Sequence, residues 1–454
     1  MNDIIKMLRY NTGTDKKAFI EFKNYFDAVI FNATIVAYSG SAVADLVSVY
    51  KNQYIIDPQT HIMQHSIDAV MSKSKNNESG SIKKSVNQYL EQMPNKILEI
   101  METEQRNLEY TEICSIIDEL VEKVYIFETE YVSKYVKKKE YDKYLEYANI
   151  KISPRLLIAP YFMLKKDMDK ACRDNYLKLN VECLKKFIVY NNEHKKKPIA
   201  AQLVMDSHLL NDREVIDNLV KIYNIDGFEY IFIWIDDFSP WNASMTKKET
   251  FVSLIEGLNK IGKKPLMAYG GYDSILLCHS ESKARMYGVA QSVGYGEKRA
   301  ITPVGGGLPV NKYYFGPLHK RIKLDEAFNI LIDNGYLDSN RSGAERANDF
   351  YRKICHCPQC KAIIKDNIDN FASYNESIPY LVKGRYGDIN RNRPTSDANF
   401  IAARHFLYYK CREWKELNQK TIKELIEELI LNYKQYGDKN SQKEIGEWCD
   451  LIGR

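Results

Sequence analysis

No uninterrupted apolar run in the chain approaches the roughly 18 residues that a membrane-crossing helix needs. The first residues, Met1-Asn2-Asp3-Ile4-Ile5-Lys6, carry no apolar signal core. The expectation is a cytoplasmic protein with no membrane partner. Charge of one sign is not in large excess: 65 basic and 60 acidic residues leave a net +5. Such a balance permits nucleic-acid binding without arguing for it, since only a local patch would. Paired cysteines are missing too. Nine cysteines are an odd number, and six of them (Cys114, Cys172, Cys183, Cys278, Cys411 and Cys449) are scattered without regular spacing, which suits a reducing compartment. The P-loop pattern GxxxxGK[ST] is absent. The one Gly/Pro-rich stretch, Thr302 to Pro309, lacks that pattern and the strand-to-helix setting, so a nucleotide-phosphate cradle is excluded. Lys298, Arg299, His319, Lys320 and Arg321 flank it and could meet phosphate. No repeat is found beyond strand-helix alternation.

What is present begins with Cys355-His356-Cys357-Pro358-Gln359-Cys360, three thiols within six residues. Thiols this close cannot all pair as disulfides, whereas a tight turn through Pro358 can aim all three at one centre. Zinc takes four tetrahedral ligands, and His405 in Ala403-Arg404-His405-Phe406-Leu407 is the candidate for the fourth. His356 is expected to point away. Four protein ligands close a zinc site, so the ion would be structural and would pin the C-terminal segment to the fold.

A chain of 454 residues, 44% hydrophobic, can bury a large core. Its first three hundred residues alternate short apolar runs with longer helical stretches. The runs read as eight strands: Met7–Asn11, Ala28–Val36, Gln53–Asp57, Arg155–Pro160, Ile199–Met205, Glu229–Asp236, Pro265–Tyr269 and Gly288–Val293. Nearly all-apolar strands suit a parallel sheet buried on both faces. The fold expected is an α/β (β/α)8 TIM barrel over residues 1–300, with a doubly wound sheet as the alternative. A charged helical insertion spans about 62–150, and a zinc-binding helical subdomain follows over 301–454. Within the insertion, Lys134, Lys137, Lys138 and Lys139 interleave with Tyr131, Tyr135, Tyr141 and Tyr144. That pattern is either a solvated helix face or a phosphate-contacting surface. The stretch Asp388–Pro394 reads as a loop.

Acidic residues gather at predicted strand ends. Asp57 ends the third strand and is followed by Pro58 and His61. Asp236 and Asp237 end the sixth, where alternation sends one of them toward the barrel axis. Asp206 with His208 is a weaker pair after the fifth. Each of these could equally cap a helix or turn. Glu297 near Arg299 is a further carboxylate late in the barrel. Trp234 and Tyr269 could line a pocket or pack.

Together, the knuckle, the later histidine and the barrel resemble the tRNA-guanine transglycosylase superfamily. His405-Phe406-Leu407-Tyr408 resembles that family's His-Asn-Leu-Tyr helix. Ile56-Asp57-Pro58-Gln59-Thr60-His61 stands where the family has its catalytic aspartate motif. Ala200-Ala201-Gln202-Leu203 resembles its base-reading Val-Gln-Gly. Leu266-Met267-Ala268-Tyr269-Gly270 resembles its Leu-Met-Gly-Val-Gly, and Gly288-Val289 followed by Arg299 resembles its last strand. The resemblance covers roughly residues 25–60 and 150–415. Two positions depart: Ser292 or Val293 stands where the family's nucleophilic aspartate lies, and Ala159 or Pro160 where a second base-reading aspartate lies. The Asp-Pro-x-Thr-His motif resembles the divergent DpdA-type branch, which inserts 7-deazaguanine bases into DNA.

The resemblance implies a pentosyltransferase that exchanges guanine in a polynucleotide, DNA in preference to tRNA, for a free 7-deazaguanine. Asp57 and Asp236 would be catalytic. His61, Gln202, Met267, Asp237 and Arg299 would bind substrate. Cys355, Cys357, Cys360 and His405 would hold zinc. A homodimer through the zinc subdomain, or accessory modification proteins, would be partners. Two alternatives are a non-catalytic zinc-containing nucleic-acid-binding relative and a glycosidase-like hydrolase using Asp57 and Asp236 as its carboxylate pair.

Overall fold

The eight apolar runs become eight strands: β1 (Ile5–Tyr10), β2 (Ala28–Asn32), β3 (Tyr54–Asp57), β4 (Leu157–Ile158), β5 (Ile199–Met205), β6 (Tyr230–Ile235), β7 (Lys264–Met267) and β8 (Gly288–Ser292). The computed structural model describes residues 4–11, 13–49, 54–72, 81–137, 143, 152–194, 196–293, 299–301, 312–338, 340–384 and 387–453. All neighbouring strands run parallel in the order β3-β2-β1-β8-β7-β6-β5-β4. The Arg155 amide donates to the Tyr54 carbonyl at 2.8 Å and joins the two ends of the sheet. The architecture is a (β/α)8 barrel.

Side-chain alternation fills the barrel. Ile5 and Met7 of β1, Ala28 and Ile30 of β2, Ile55 of β3, Ile158 of β4, Ala200 and Val204 of β5, Phe232 and Trp234 of β6, Leu266 and Ala268 around β7, and Ala290 of β8 share one buried cluster. The intervening residues pack outward under the helices, as expected for strands covered on both faces. Gly288 is where β8 comes closest to β1: an added Cβ would collide with the Ile5 carbonyl oxygen. No other residue type fits there without opening the seam.

β4 is much shorter than its apolar run. Pro160 has no N–H to give to a ladder, and the Ile158 amide donates to the Glu128 carboxylate of the insertion at 3.1 Å. The Ala159 amide still donates to the Ala200 carbonyl at 3.0 Å; the chain then bulges over residues 160–163 and rejoins β5 where the Leu164 amide donates to the Val204 carbonyl at 2.9 Å. The described part of the insertion between β3 and β4 is mostly helical, and its longest helix is Ile117–Lys137. Lys138, Lys139, Tyr141 and Tyr144 of the basic run lie outside the described residues, as do Glu297 and Thr302–Pro309.

The chain forms two compact units. One comprises Met1–Asn11, Lys23–Gly270 and Lys283–Gly305; the other comprises Thr12–Phe22, Gly271–Ser282 and Gly306–Arg454. The second unit thus takes two short segments from within the barrel sequence as well as everything after residue 305. Helix Gly13–Phe22 belongs to it because Phe22 packs edge-on against Tyr408 at 4.8 Å and Glu21 accepts from Arg404 at 2.7 Å. The second unit holds an antiparallel pair, β9 (Lys312–Phe315) with β10 (Lys320–Lys323), and the helices Leu324–Asp333, Gly343–Lys353, Pro358–Ile364, Ser396–Leu417, Ile422–Tyr436 and Lys439–Ile452. It also holds a hairpin, β11 (Ser377–Gly384) with β12 (Gly387–Pro394), where a loop was expected over Asp388–Pro394. Its exposed faces leave no alternation of burial for the sequence to display. Among the described residues no helix is long and apolar enough to cross a membrane.

Candidate functional site and metal centre

The barrel interior changes from apolar to polar at the C-terminal ends of its strands, where barrel sites are built. Asp57, the last residue of β3, is completely buried there. Its Oδ2 accepts from Arg9 Nη1 at 3.0 Å and from Gln202 Nε2 at 3.5 Å. Its Oδ1 accepts from the Tyr161 hydroxyl at 2.6 Å and the Gln59 amide at 3.2 Å. Arg9 comes from β1 and continues the inward series Ile5, Met7. Besides Asp57 it donates Nε–H to the Ala268 carbonyl at 2.8 Å and Nη1 to Asn32 Oδ1 at 3.0 Å. Its guanidinium carbon lies 4.3 Å from the centroid of Tyr269. The loop after β4 is what brings Tyr161 in: Thr60 exchanges hydrogen bonds with the Tyr161 backbone and Gln64 with that of Met163. Burial, and then the Asp57 charge, push the Tyr161 phenol well above its usual range, so it stays a donor.

Three atoms of this layer are buried and have no hydrogen-bond partner: Arg9 Nη2, Gln202 Oε1 and His61 Nδ1. Buried polar groups are ordinarily satisfied, so orphans clustered around one carboxylate mark a place for a ligand or water. Aromatic rings surround them. His61 stacks on Tyr161 at 5.3 Å and meets Trp234 edge-on at 5.4 Å. Trp234 in turn lies 4.9 Å from Tyr269.

Asp236 lies at the same end of the barrel, because β3 and β6 are parallel, but not beside Asp57. Gln202, which touches Asp57, is in register with Phe232, and Asp236 is four residues further along that strand. Asp236 stands just past the end of β6, toward the mouth. Asp236 is half-buried and its Oδ1 accepts the Ile301 amide at 2.7 Å. Burial raises its pKa, and Asp206 and Asp237 add to the rise. Asp237 is exposed, with a left-handed backbone at φ 43°. Arg299 joins this rim: its Nη1 donates to the Tyr269 hydroxyl at 2.9 Å, and its carbonyl accepts from Trp234 Nε1 at 3.1 Å and from the Asp237 amide at 3.2 Å. Asp206 caps the short helix Ser207–Asn211 by accepting the amide of His208, which is exposed.

Met267 is not in this layer. Leu266 and Ala268 belong to the barrel interior, so Met267 between them is buried on the opposite face and does not cover the pocket. Ser292 ends β8, and its Oγ accepts from Asn11 Nδ2 at 2.8 Å. Arg9 and Tyr161 were not singled out from the sequence. The signal for Arg9 is a charged residue that continues the inward positions of Ile5 and Met7, in a strand whose other charge, Lys6, falls at an outward position.

His61 and His65 are both buried, with rings 5.2 Å apart. Burial drives the His61 pKa well below its usual value, and that of His65 down to about 4, with Lys165 adding to the latter. An unfolded chain would protonate such imidazoles near pH 6.5. Stability from keeping His65 neutral is therefore complete above about pH 6.5 and declines as pH falls toward 4, by roughly 3 kcal/mol in all. Denaturant titrations at pH 7 and pH 4.5 should show a smaller loss for His65→Gln than for wild type. Equal losses would mean that this imidazole is not the group responsible.

In the second unit, the ligating atoms of Cys355, Cys357, Cys360 and His405 all lie within 4.8 Å of one another. His405 Nδ1 is 3.8 Å from Cys355 Sγ, 3.4 Å from Cys357 Sγ and 3.4 Å from Cys360 Sγ. Its Nε2–H is spent on the Tyr314 carbonyl at 2.8 Å. With Nε2 so engaged, Nδ1 of a neutral imidazole is left to face the three sulfurs, which is the donor set a metal ion takes. Tetrahedral bonds of about 2.3 Å to sulfur and 2.0 Å to nitrogen would give edges near 3.5 Å, and the observed separations match. The Cys357 amide donates to Cys355 Sγ at 3.4 Å and the Cys360 amide to Cys357 Sγ at 3.3 Å. Hydrogen bonds from Cys355 and Cys360 hold the Cys357 thiol far below its usual range. Tyr313 stacks on His405 at 4.3 Å. These four residues could hold one metal ion, and His356 is exposed outside the set. The 44 residues between Cys360 and His405 are accounted for by the turn Ile368–Asn375 and the hairpin β11–β12. Compared with protein-family models and with curated proteins, the chain matches none.

Proposed function

We propose that this protein is a base-exchange transglycosylase of the cytoplasm, replacing guanine in a polynucleotide with a free 7-deazaguanine. The observation that carries the proposal is the ring of unpartnered buried polar atoms, Arg9 Nη2, Gln202 Oε1 and His61 Nδ1, around Asp57 at the C-terminal end of the barrel. A planar base taken out of its stack needs such edge-reading groups between aromatic faces, and Tyr161, Trp234 and Tyr269 supply the faces. In this exchange the bond between the anomeric carbon and the base nitrogen breaks, a carboxylate offsets positive charge at that carbon, and the leaving nitrogen takes a proton. The incoming base then forms the same bond and loses its proton. Asp57, held in place by its four donors, serves as the charge-stabilising group. Asp236, nearer the mouth and with a raised pKa, serves as the proton carrier. The Cys355, Cys357, Cys360 and His405 centre holds zinc, which in a site closed by four protein ligands organises the fold and supplies no chemistry.

The test is incubation with radiolabelled guanine and either DNA or tRNA. Label should enter one of them, and Asp236→Asn should slow entry by roughly 10²–10³-fold, as for loss of a general acid, with metal content unchanged. Release of base without replacement would overturn exchange in favour of hydrolysis. A second reading, a non-catalytic polynucleotide-binding relative, is favoured by the neutralisation of Asp57 by Arg9 and by Ser292 standing where the family's nucleophile lies. Binding without incorporation would select it.

A further inference from the structure

The hairpin β11–β12 lies between two ligands of the metal centre and packs little of itself away. Its base is closed by the Thr395 amide donating to the Glu376 carbonyl at 3.0 Å. Beyond that, Ile378, Tyr380, Leu381 and Ile389 are 40–51% exposed. A two-stranded hairpin with both faces in water is marginal by itself, so its conformation is expected to be completed by something bound to it. The register pairs Ile378 with Arg393, Tyr380 with Arg391 and Val382 with Ile389, which places Tyr380, Arg391 and Arg393 on one face. Arg391 and Arg393 are exposed, and among the described residues neither pairs with a carboxylate. The Arg393 guanidinium carbon sits 5.1 Å from the Tyr380 ring centroid. The two arginines are two residues apart, roughly 6.7 Å at the strand rise, which is about the axial rise of two nucleotides in a duplex.

From this juxtaposition we infer that the β11–β12 hairpin is a polynucleotide-docking arm, with Arg391 and Arg393 meeting backbone phosphates and Tyr380 lying flat beside them. A two-stranded ribbon of this width enters a duplex groove. The charge selects the occupant: the described side chains of this face are Ile378, Tyr380, Ile389 and two guanidiniums with no carboxylate beside them, and those two charges fit a polyanion. The inference rests on the proposed polynucleotide substrate but locates its docking in the second unit.

The experiment uses the full chain and a fluorescently labelled 30-base-pair DNA duplex, with an RNA duplex of the same sequence alongside. Anisotropy titrations across a salt series should show the double variant Arg391→Gln/Arg393→Gln binding about tenfold or more weakly. Its log Kd against log salt slope should be shallower by about two, one per lost phosphate contact. Tyr380→Ala should weaken binding with the slope unchanged. Far-UV circular dichroism and metal content of the variants should equal wild type, since these side chains face solvent. Unchanged affinity and slope in the double variant overturn the inference, as does a wild-type hairpin that binds anionic phospholipid vesicles and not duplex. Loss of label incorporation in wild type with the hairpin effect intact would sink base exchange and leave the docking arm standing. Incorporation with a double variant of full affinity would do the reverse.

Discussion

Cys357→Ser should strip the chain of its metal and loosen the second unit from Gly343 to Asn375. Wild type is expected to carry one zinc per chain by mass spectrometry of the metal, and the variant none. The size of the effect follows from the donor set. Apparent binding free energies of structural zinc in small domains are about 10–16 kcal/mol near neutral pH, as large as the whole stability of a typical domain. Part of this is recovered here, because Phe350, Ile354, Ile364, Ile368, Phe371 and Phe406 are buried around the site whether or not an ion is present. A loss on the order of 5 kcal/mol or more remains expected. Without the ion, Nδ1 of His405 and the three sulfurs have no metal to bond them together, and the knuckle is tied to helix Ser396–Leu417 by weaker contacts alone. Hydrogen exchange should quicken across helices Gly343–Lys353 and Pro358–Ile364 and in the first half of Ser396–Leu417, while the barrel strands stay protected. A variant with unchanged melting and exchange would mean that these side chains are ordinary thiols and a buried histidine. Chelation of wild type should reproduce the pattern reversibly, which separates loss of metal from the substitution itself.

The parts that could be read from sequence are those where one physical rule dominates. Strands buried on both faces show themselves as apolar runs, so all eight were legible, and the knuckle was legible because three thiols in six residues have few other uses. Boundaries failed where a second rule intervened. The run Arg155–Pro160 yields a two-residue strand because Glu128, distant in sequence, takes the Ile158 amide. Asp388–Pro394 was taken for a loop because a strand with no buried face has no alternation to detect. The site divides in the same way. Asp57 and Gln202 were found by motif, and the structure brings them together. Met267 was placed on the pocket by motif although its neighbours Leu266 and Ala268, by simple alternation, occupy the inward positions. Nothing in Ile-Lys-Met-Leu-Arg-Tyr, which carries two cations, discloses that Arg9 turns inward to meet a carboxylate 48 residues later. The pairing of Asp57 with Asp236 rests on their common end of the barrel.

Asp57→Asn should cost the barrel about 3–5 kcal/mol, the usual effect of removing one partner from a buried ion pair, and should abolish base exchange. Every atom around Asp57 that is within hydrogen-bonding distance is a donor: Arg9 Nη1, the Tyr161 hydroxyl, the Gln59 amide and Gln202 Nε2. An asparagine amide must turn its own NH2 toward two of them and leaves the Arg9 charge uncompensated at 1% exposure. Replacing the pair together by apolar residues of similar volume, Arg9→Met with Asp57→Leu, removes both the charge and its desolvation cost. Such swaps are often neutral or stabilising. The double variant is therefore expected to recover most of the stability lost in Asp57→Asn by denaturant titration, while label incorporation from free guanine stays absent. That divergence would show that a costly charge pair persists in the barrel because a ligand needs it. If the double variant also regained exchange, Asp57 would be excluded from the chemistry. If Asp57→Asn were as stable as wild type, the ion pair with Arg9 would not be holding this layer together.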